Sequence, residues 1–572
     1  MQEMQETRDN APANTFEMVA KTFQGLEEVL AEELRALGAL NVEPGRRMVS
    51  FEGDLEMLYR ANMCCRTALR ILKPIYKFFA KDPDELYEMV KEYDWTQVLS
   101  LDKTFAIDTV SSGEEFSHSR FVTYRVKDAI VDFFKDRFGP DKRPGVRLQD
   151  ADVMINVHVS GDRVTLSLDS SGESLHKRGY RVAQTEAPIN EVLAAGIILK
   201  SGWRGDCPFV DPMCGSGTFL IEAALIGAGI MPGVYRRKFA FEQWPDFDPD
   251  LFDSIYNDDS SEKELTHKIY GADISPKAVA IAQQNIKSAG VGKYIDIKVK
   301  PLSEWEEAPA MGILVTNPPY GERIGVEDME GLYKLIGRKL KHVFTGYHAW
   351  IIGYRDEYFN SIGLSPTTRE KLLNGSLECE LREYIIFDGD YESYRKAGNV
   401  LHTGEKPEKR APRRMSDEEW KSDARRKGFG GKEFRSDRRK GAGHDRADRK
   451  GRFDKGDRFD KRDRFDKSER FDKEDRFDRK DRFEKGNRFE KGDRFDRKGG
   501  FGGKDRFAPR ADASSSDNPL AKRRNEAALR TLTGKTPTLP PADGERVMRA
   551  RKGWKKNDGD SPRDAGNPAN ED

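Results

Sequence analysis

The sequence predicts three successive parts: an α+β region, a doubly wound α/β domain and a disordered tail. Ordinary globular patterning runs from about residue 15 to 390, and strands alternate with helices only from about residue 187 onward. After about residue 400, Ile, Val and Leu become scarce and charged residues crowd together. A chain of 572 residues is long enough for two or three folded domains.

The α+β region has two blocks, which we place at residues 15–65 and 66–172. The first begins with a strand-like run at Phe16–Thr22, followed by a helix that carries its apolar residues on one face. The second has a strand at 105–110, a helix at 119–138 and strands near 153–159 and 164–168. These elements do not alternate as they would in a parallel sheet, so an α+β fold is predicted.

The α/β domain is placed at residues 180–390, and it opens with a helix at Ile189–Lys200. A short apolar strand at 208–210, a glycine turn and a second apolar helix follow, which is the start of a βαβ unit. Further strands are predicted at 268–272, 295–299, 312–316, 349–353 and 383–387. This rhythm is typical of a doubly wound α/β domain.

The tail, residues 400–572, contains a low-complexity repeat in which Phe recurs every six residues from Phe453 to Phe507, usually within Arg-Phe-Asp-Lys. Isolated aromatic residues among charges cannot offset the entropy of the chain, so the tail is predicted to be disordered. Two interpretations stay open. Its Arg and Phe side chains could stack on unpaired bases, or the segment could be a solubilising spacer.

The amino-acid composition indicates which binding partners and which cellular location to expect. Equal numbers of basic and acidic residues, 99 of each, give no overall cationic field, so binding to nucleic acid requires local patches. The five cysteines form no CxxC pair, which argues against a zinc site or a disulfide framework, and no metal is expected. The sequence shows no signal-peptide pattern and no apolar run of about 20 residues, so we expect a cytoplasmic protein without a membrane partner.

The first chemical motif is the turn Asp211-Pro-Met-Cys-Gly-Ser-Gly-Thr218, between a strand and a helix. Gly215 and Gly217 can adopt positive φ and let backbone amides approach a ligand. Asp211 would repel a pyrophosphate and favours a cation such as a methionine-derived ammonium or sulfonium. The next strand ends in Asp273, where this fold places a carboxylate that binds ribose. Its distance from the turn requires an insertion around residues 231–266.

The second motif, Asn317-Pro318-Pro319-Tyr320, follows the strand at 312–316. The two prolines hold the backbone extended and leave its carbonyls free. The Asn317 side-chain oxygen and the Pro318 carbonyl could accept the hydrogens of an exocyclic base amine, and the Tyr320 ring could stack on an extruded base. Both motifs follow strands of one sheet, so cofactor and acceptor sites are expected at the same carboxyl edge.

With these motifs, the chain resembles the THUMP-domain class I methyltransferases that modify large-subunit ribosomal RNA at guanine N2. The resemblance covers about residues 15–390. It includes Lys21-Thr-Phe-Gln-Gly-Leu-Glu-Glu, Leu175-His-Lys-Arg-Gly-Tyr-Arg181, Ala187-Pro-Ile-Asn-Glu191 and Asn317-Pro-Pro-Tyr-Gly-Glu-Arg323, besides the turn at Asp211. It implies a Rossmann-like class I methyltransferase domain, preceded by a ferredoxin-like element and a THUMP RNA-binding domain.

The resemblance also implies roles for single residues. Asp211, Gly215 and Gly217 would hold the methionine end of S-adenosylmethionine (SAM), Asp273 its ribose, and Asn317 to Tyr320 the target amine. Pro212, Cys214 and Thr218 complete the predicted cofactor turn. Lys300-Pro-Leu-Ser303 stands where the family has an acid that contacts the adenine amine, so that contact stays unassigned.

A set of basic residues could form a phosphate-binding surface, with ordinary solvated faces as the alternative interpretation. The set is Arg120, Arg125, Lys127, Lys142, Arg143, Arg147, Lys177, Arg178 and Arg181.

The predicted function is direct transfer of the SAM methyl group to guanine N2 of 23S ribosomal RNA or its large-subunit precursor, by a monomer without metal. Methylation of adenine N6 in DNA or RNA is a close alternative, because the Asn-Pro-Pro-Tyr motif suits either amine. A non-catalytic RNA-binding assembly factor, in which the tail binds RNA, is a more distant one.

Overall fold

The computed structural model describes residues 14–309, 311–320, 328–375 and 377–387, together with 389 and 422. The predicted disorder of the tail falls outside the described residues. Two sheets organise the rest: an eight-stranded sheet in the N-terminal half and a seven-stranded sheet in the C-terminal half. This arrangement confirms the predicted fold class for the described residues.

The first sheet has the strand order β2-β3-β1-β4-β8-β7-β5-β6. Its strands are β1 Phe16–Lys21, β2 Leu40–Gly45, β3 Met48–Gly53, β4 Arg70–Phe79, β5 Thr104–Ser112, β6 Gly145–Val146, β7 Val153–Ser160 and β8 Arg163–Asp169. Four helices accompany it: α1 Glu27–Ala36, α2 Leu55–Cys64, α3 Pro83–Glu92 and α4 Ser119–Phe138.

Local chemistry explains several of these boundaries. The Asp54 carboxylate accepts a hydrogen bond from the Met57 amide and starts α2. Asp82 caps α3 in the same way, with Pro83 at the first helical position, where its missing N–H costs nothing. Helix α4 ends at Gly139, which has a φ of 115°. Its observed bounds match the sequence prediction.

Strand β4 joins the two N-terminal blocks into one continuous sheet. On one side it pairs antiparallel with β1, and on the other it pairs antiparallel with β8. The two N-terminal blocks therefore meet at this one strand. This strand begins just after the 65/66 boundary drawn from the sequence, and its pairing with both blocks is a long-range feature that the local pattern does not reveal.

The second sheet has the order β11-β10-β9-β12-β13-β15-β14. Its strands are β9 Phe209–Asp211, β10 Ile269–Asp273, β11 Ile295–Val299, β12 Ile313–Thr316, β13 His348–Gly353, β14 Thr368–Asn374 and β15 Leu377–Ile385. Its helices are α5 Glu191–Lys200, α6 Thr218–Gly227, α7 Pro249–Tyr256, α8 Pro276–Ala289, α9 Met329–His342 and α10 Asp356–Asn360.

This sheet places a binding crevice at one edge. Strands β9 to β13 run parallel, and the chain order of the strands reverses at β9, which pairs with β10 on one side and with β12 on the other. In open α/β sheets, ligands bind outside the carboxyl ends of the strands at such a switch point. The β14–β15 hairpin extends the sheet with an antiparallel strand next to β13.

The expected insertion is present between α6 and β10. It contains 3-10 turns at Pro232–Tyr235 and Ala240–Gln243, followed by α7. The Phe241 ring stacks on Tyr59 of α2 at a centroid distance of 4.5 Å. A Cβ on Gly233 would stand 2.8 Å from the Met63 backbone, so the insertion packs closely on the N-terminal half.

Candidate active site

Asp211 ends strand β9 at the floor of the crevice and is only 1% exposed. Its Oδ1 accepts hydrogen bonds from the Thr316 hydroxyl at 2.9 Å and from the Met213 amide at 3.2 Å. Burial raises the pKa of this carboxyl to about 7, although both hydrogen bonds act in the opposite direction. The site therefore holds a carboxylate whose charge is poorly solvated and would be stabilised by a cation.

The glycine turn that follows has the predicted conformation. Gly215 and Gly217 have φ values of 52° and 81°, in the left-handed region that favours glycine. A Cβ on Gly217 would lie 3.0 Å from the Ala282 Cβ on α8, so the turn and that helix approach closely. A Cβ on Gly215 would meet no atom within 4 Å. The turn is thus packed from behind and open at Gly215.

Asp273 ends strand β10 and contacts the same turn. Its Oδ2 accepts a hydrogen bond from the Gly215 amide at 2.9 Å, and its Oδ1 accepts one from the Ser275 amide at 2.8 Å. A carboxylate has about four acceptor positions, so two remain for hydroxyl groups of a ligand. The two acids predicted to bind the cofactor therefore lie on either side of one glycine turn.

Arg181 stabilises the glycine turn by hydrogen bonds to two of its residues. Its guanidinium donates to the Ser216 and Thr218 hydroxyls, both at 2.9 Å, and pairs with Glu191 at 2.6 Å. The Thr218 hydroxyl is therefore used within the protein and supports the turn rather than projecting from it. Arg181, which the sequence suggested as an RNA ligand, instead joins the interdomain segment to the cofactor turn.

Asn285 provides a second brace that sequence reasoning missed. This fully buried residue of α8 accepts hydrogen bonds from the Val182 and Ala183 amides and donates to the Ser216 carbonyl at 3.1 Å. Nothing in the local sequence marks it, because its partners lie about 70 and 100 residues away in the chain. The backbone of the turn is thereby fixed before any ligand binds.

Two exposed apolar side chains were also missed. Ile274, directly after Asp273, is 73% exposed, and Val299, at the end of β11, is 50% exposed. Asp273 and Val299 are cross-strand partners in the parallel pair β10–β11. Apolar side chains exposed beside a polar crevice are suited to covering a flat ring. The signal that could have found them is an apolar residue immediately after the acid at a strand end.

The remaining predicted cofactor residues line the turn from inside. Pro212 and Cys214 are buried, and burial raises the pKa of the Cys214 thiol well above its usual value. The Cys214 amide bonds to the Ala272 carbonyl at 2.8 Å. These residues shape the turn, while Gly215 forms its open surface.

The Asn-Pro-Pro-Tyr motif follows β12, directly after the Thr316 residue that bonds to Asp211. Pro318 is buried, whereas Asn317, Pro319 and Tyr320 are half-buried. The Tyr320 hydroxyl donates to the Asn317 Oδ1 at 2.6 Å, and its ring lies 6.3 Å from that of Tyr354. The predicted cofactor and amine sites therefore occupy neighbouring strand ends, as the sequence pattern indicated.

The predicted RNA-binding residues separate into groups. Lys142, Arg143 and Arg147 are exposed in the segment around the edge strand β6. Arg120 and Lys177 are exposed as well, and Lys177 pairs with Glu173. Arg125 pairs with Asp84 and covers the Tyr87 ring, and Lys127 pairs with Asp128.

Arg178 lies elsewhere. It is 2% exposed, and it bonds to Glu222 and to the Leu175 and Arg66 carbonyls. Its guanidinium is not accessible to an RNA phosphate in this arrangement, so we remove it from the expected phosphate-binding surface.

Two negative findings hold for the part of the chain that the structure describes. Within that part, no group of three or more His, Cys, Asp or Glu residues could hold a metal ion. Within it, too, no helix combines the length and apolarity needed to cross a membrane.

Comparison with known families matches three segments of the chain. Residues 178–383 match the family described as "RMKL-like, methyltransferase domain", residues 80–169 match the THUMP domain, and residues 17–72 match the "RlmL ferredoxin-like domain". A Synechocystis protein described as an RNA methyltransferase, slr0064, is 37% identical over 378 residues, and the match covers 98% of that protein. The chain belongs to this family of THUMP-domain methyltransferases, which depend on SAM.

Other members of the THUMP methyltransferase family are longer. The ribosomal RNA large subunit methyltransferase K/L of Syntrophotalea carbinolica is 40% identical over 391 residues. The match covers 66% of this chain and 54% of that protein. The chain thus spans about half the length of the K/L relatives it matches.

Two solved structures agree with the fold of this chain. SMU.472, described as a methyltransferase and solved with S-adenosylhomocysteine (SAH), is 33% identical with a TM-score of 0.60, and the match covers 66% of this chain and all of that one. A predicted N6-adenine-specific DNA methylase from Listeria monocytogenes is 32% identical with a TM-score of 0.59. The match covers 65% of this chain and 97% of that one.

Proposed function

We propose that this protein transfers the methyl group of SAM to an exocyclic amine of a base in RNA, with guanine N2 of large-subunit ribosomal RNA as the target. One observation carries the proposal: the Thr316 hydroxyl bonds to Asp211, so the amine-binding motif at Asn317 directly adjoins the cofactor turn. Acceptor and donor of the methyl group would then meet at one edge of the sheet.

The residues present fit SAM. Asp211 and the amide-lined turn at Gly215 suit the charged methionine end, and the free acceptor positions of Asp273 suit ribose hydroxyls. Ile274 and Val299 offer apolar surface for the adenine ring. SAM supplies an electrophilic methyl group on a sulfonium. Arg181 and Asn285 would hold the glycine turn, before SAM arrives, in the conformation that binds SAM.

Asn317 and Pro318 would bind and orient the amine. An amine on a base is a weak nucleophile because its lone pair is delocalised into the ring. Hydrogen bonds from the amine to the Asn317 Oδ1 and the Pro318 carbonyl would localise that lone pair on nitrogen. With SAM bound, the nitrogen would accept the methyl group as the carbon–sulfur bond breaks, and one amine proton would leave to a carbonyl or to water. Alignment would supply most of the rate.

RNA as the substrate is supported by the THUMP domain and by the exposed cations Lys142, Arg143 and Arg147. The K/L relatives, named for ribosomal RNA of the large subunit, favour that RNA. Guanine N2 is the target that the resemblance of the motifs to the family implies. Adenine N6 is the second candidate, favoured by the description of the Listeria structure as an adenine-specific DNA methylase.

The test is transfer of labelled methyl from SAM to total RNA, to deproteinised ribosomal RNA and to DNA, followed by nucleoside analysis. Asn317→Ala removes the proposed amine acceptor and should lower kcat about 100-fold or more, by analogy with the loss of one oriented group in a polar site. The matched control is Asn360→Ala, an exposed asparagine at the end of α10.

The outcomes discriminate among the candidates. Label in N2-methylguanosine that disappears only in Asn317→Ala supports the proposal. Label in N6-methyladenine moves the target to the second candidate. Failure to methylate any RNA or DNA, with SAH still bound, would favour a non-catalytic RNA-binding factor.

A further inference from the structure

The Tyr320 hydroxyl lies at the centre of a short chain of hydrogen bonds that the proposed amine chemistry does not use. It donates to the Asn317 Oδ1 at 2.6 Å and accepts from the Asn374 Nδ2 at 3.2 Å. The Cys379 Sγ lies 3.8 Å from the same oxygen. Asn374 and Cys379 belong to the β14–β15 hairpin, more than 50 residues along the chain from Tyr320.

The hairpin brings these side chains to the correct edge of the sheet. Strand β15 is antiparallel to β13 and pairs Glu380 with Gly353, so it begins at the carboxyl edge of the parallel strands. Leu372 pairs with Cys379, and Asn374 stands two residues after Leu372, which places Asn374 and Cys379 on one face of the hairpin. That face meets Tyr320.

The chain of hydrogen bonds has a direction. The Asn374 amide can only donate from Nδ2, so the Tyr320 oxygen is the acceptor and its own hydrogen is directed to Asn317. A donor at that position selects the oxygen of the Asn317 amide rather than its NH2 group. An amide oxygen has two acceptor positions, so one remains for the hydrogen of an incoming amine.

The surroundings keep this arrangement intact at neutral pH. Cys379 is 2% exposed, and burial raises the pKa of Tyr320 well above its usual value, with the nearby Cys379 acting in the same direction. The phenol therefore stays a donor. Hydrogen bonds in such a partly dry site are stronger and reinforce one another.

We propose that Asn374 and Cys379 are positioning residues: through the Tyr320 hydroxyl they orient the Asn317 side chain so that its oxygen faces the substrate amine. This inference rests on the proposed function of Asn317. It gives the β14–β15 hairpin a part in orienting the substrate amine. It also gives the Tyr320 hydroxyl a role that is separate from stacking by the Tyr320 ring.

The experiment is a double-mutant cycle on methyl transfer to the RNA that the wild-type protein labels. Asn374→Ala should lower kcat about 5–20-fold, the loss expected for one buried hydrogen bond in the transition state. It should leave the KM for SAM and the Kd for SAH unchanged. Tyr320→Phe retains the ring and should lower kcat by a similar factor, and the double variant should be no slower than Tyr320→Phe alone.

Cys379→Ala tests the second contact and should show the same dependence on the Tyr320 hydroxyl with a smaller loss. The matched control is Cys207→Ala, a half-buried cysteine outside this cluster, which should leave kcat unchanged. Losses from Tyr320→Phe and Asn374→Ala that simply multiply would overturn the inference, because Asn374 would then act independently of the phenol. An unaltered kcat in Asn374→Ala would overturn it as well.

A second readout does not need catalysis. The losses of Tm caused by Asn317→Ala and Asn374→Ala should be non-additive in the wild-type background and additive in the Tyr320→Phe background. Additive losses in both backgrounds would overturn the inference. If the wild-type protein labels no nucleic acid, the proposed function fails, and this thermal cycle still decides whether the hairpin orients Asn317.

Discussion

The Thr316 hydroxyl donates a 2.9 Å hydrogen bond to the Asp211 carboxylate, and so links the last residue of β12 to the last residue of β9. Both residues are buried. The contact spans the point where the strand order reverses, which is where a doubly wound sheet opens its binding crevice. It sets the separation between the acid of the cofactor turn and the Asn-Pro-Pro-Tyr motif that begins at the next residue.

The pKa of Asp211 predicts an unusual dependence of stability on pH. Its folded-state value of about 7 lies above that of an ordinary aspartate, so the folded protein binds a proton that the unfolded chain releases. The stability contributed by this group is therefore present at low pH and is lost as the pH rises through about 7. Asp211→Asn cannot ionise. It should raise the Tm of the ligand-free protein by a larger margin at pH 8 than at pH 5.

Scanning calorimetry at the two pH values checks this prediction, and the control is Asp206→Asn, at an exposed aspartate in the bend before β9. A Tm difference independent of pH would show that Asp211 does not titrate near neutrality. Asp211→Asn should also weaken SAH binding, because it removes the carboxylate that we propose as the partner of the ligand's ammonium group.

Arg181→Met should weaken SAH binding about tenfold, since two hydrogen bonds that hold the turn are lost without any direct contact to the ligand. RNA affinity should not change, because the guanidinium faces the turn and Glu191 rather than solvent. Isothermal titration measures the affinity for SAH, and filter binding measures the affinity for RNA. The matched control is Arg204→Met, since the Arg204 guanidinium donates to the nearby Leu199 and Trp203 carbonyls. A loss of RNA affinity without loss of SAH binding would restore the interpretation made from the sequence.

Replacement of Lys142, Arg143 and Arg147 by alanine should weaken RNA binding and leave SAH binding intact. Each cation that neutralises a phosphate contributes about −0.7 to −0.9 to the slope of log K against log salt, so the slope should fall in magnitude by about 2–3. Lys91→Ala, in the same domain but paired with Asp136, is the control and should change neither quantity. An unchanged salt slope in the triple variant would exclude this surface from RNA binding.

Gly217→Ala should destabilise the protein and abolish tight binding of SAH. Its φ of 81° is strained for alanine by about 1–2 kcal/mol, and the new Cβ would press on Ala282 at 3.0 Å. Gly202→Ala is a matched control, because Gly202 has a φ of 77° but its Cβ would meet nothing within 4 Å. Denaturant unfolding should show a larger loss for Gly217→Ala. Equal losses of unfolding free energy in the two variants would mean that the close contact with α8 does not restrict the residue at position 217.

Local pattern was enough to predict most elements and both motifs. Helix α4 was expected at about 119–138 and is observed at Ser119–Phe138, because helical periodicity is a property of neighbouring residues. The strand at 295–299 was likewise predicted at its observed bounds. The glycine turn and the Asn-Pro-Pro-Tyr motif could be placed at one edge since parallel strands present their carboxyl ends together.

The sequence by itself thus determined the fold class and the two motifs at strand ends, since each depends on residues close together in the chain. Only the tertiary structure decided what Arg178 and Arg181 do. Both looked like surface cations, and their partners Glu222 and Ser216 lie 44 and 35 residues away. A charged side chain becomes a buried brace or a solvent-exposed ligand according to what the fold packs against it, and no local pattern carries that information.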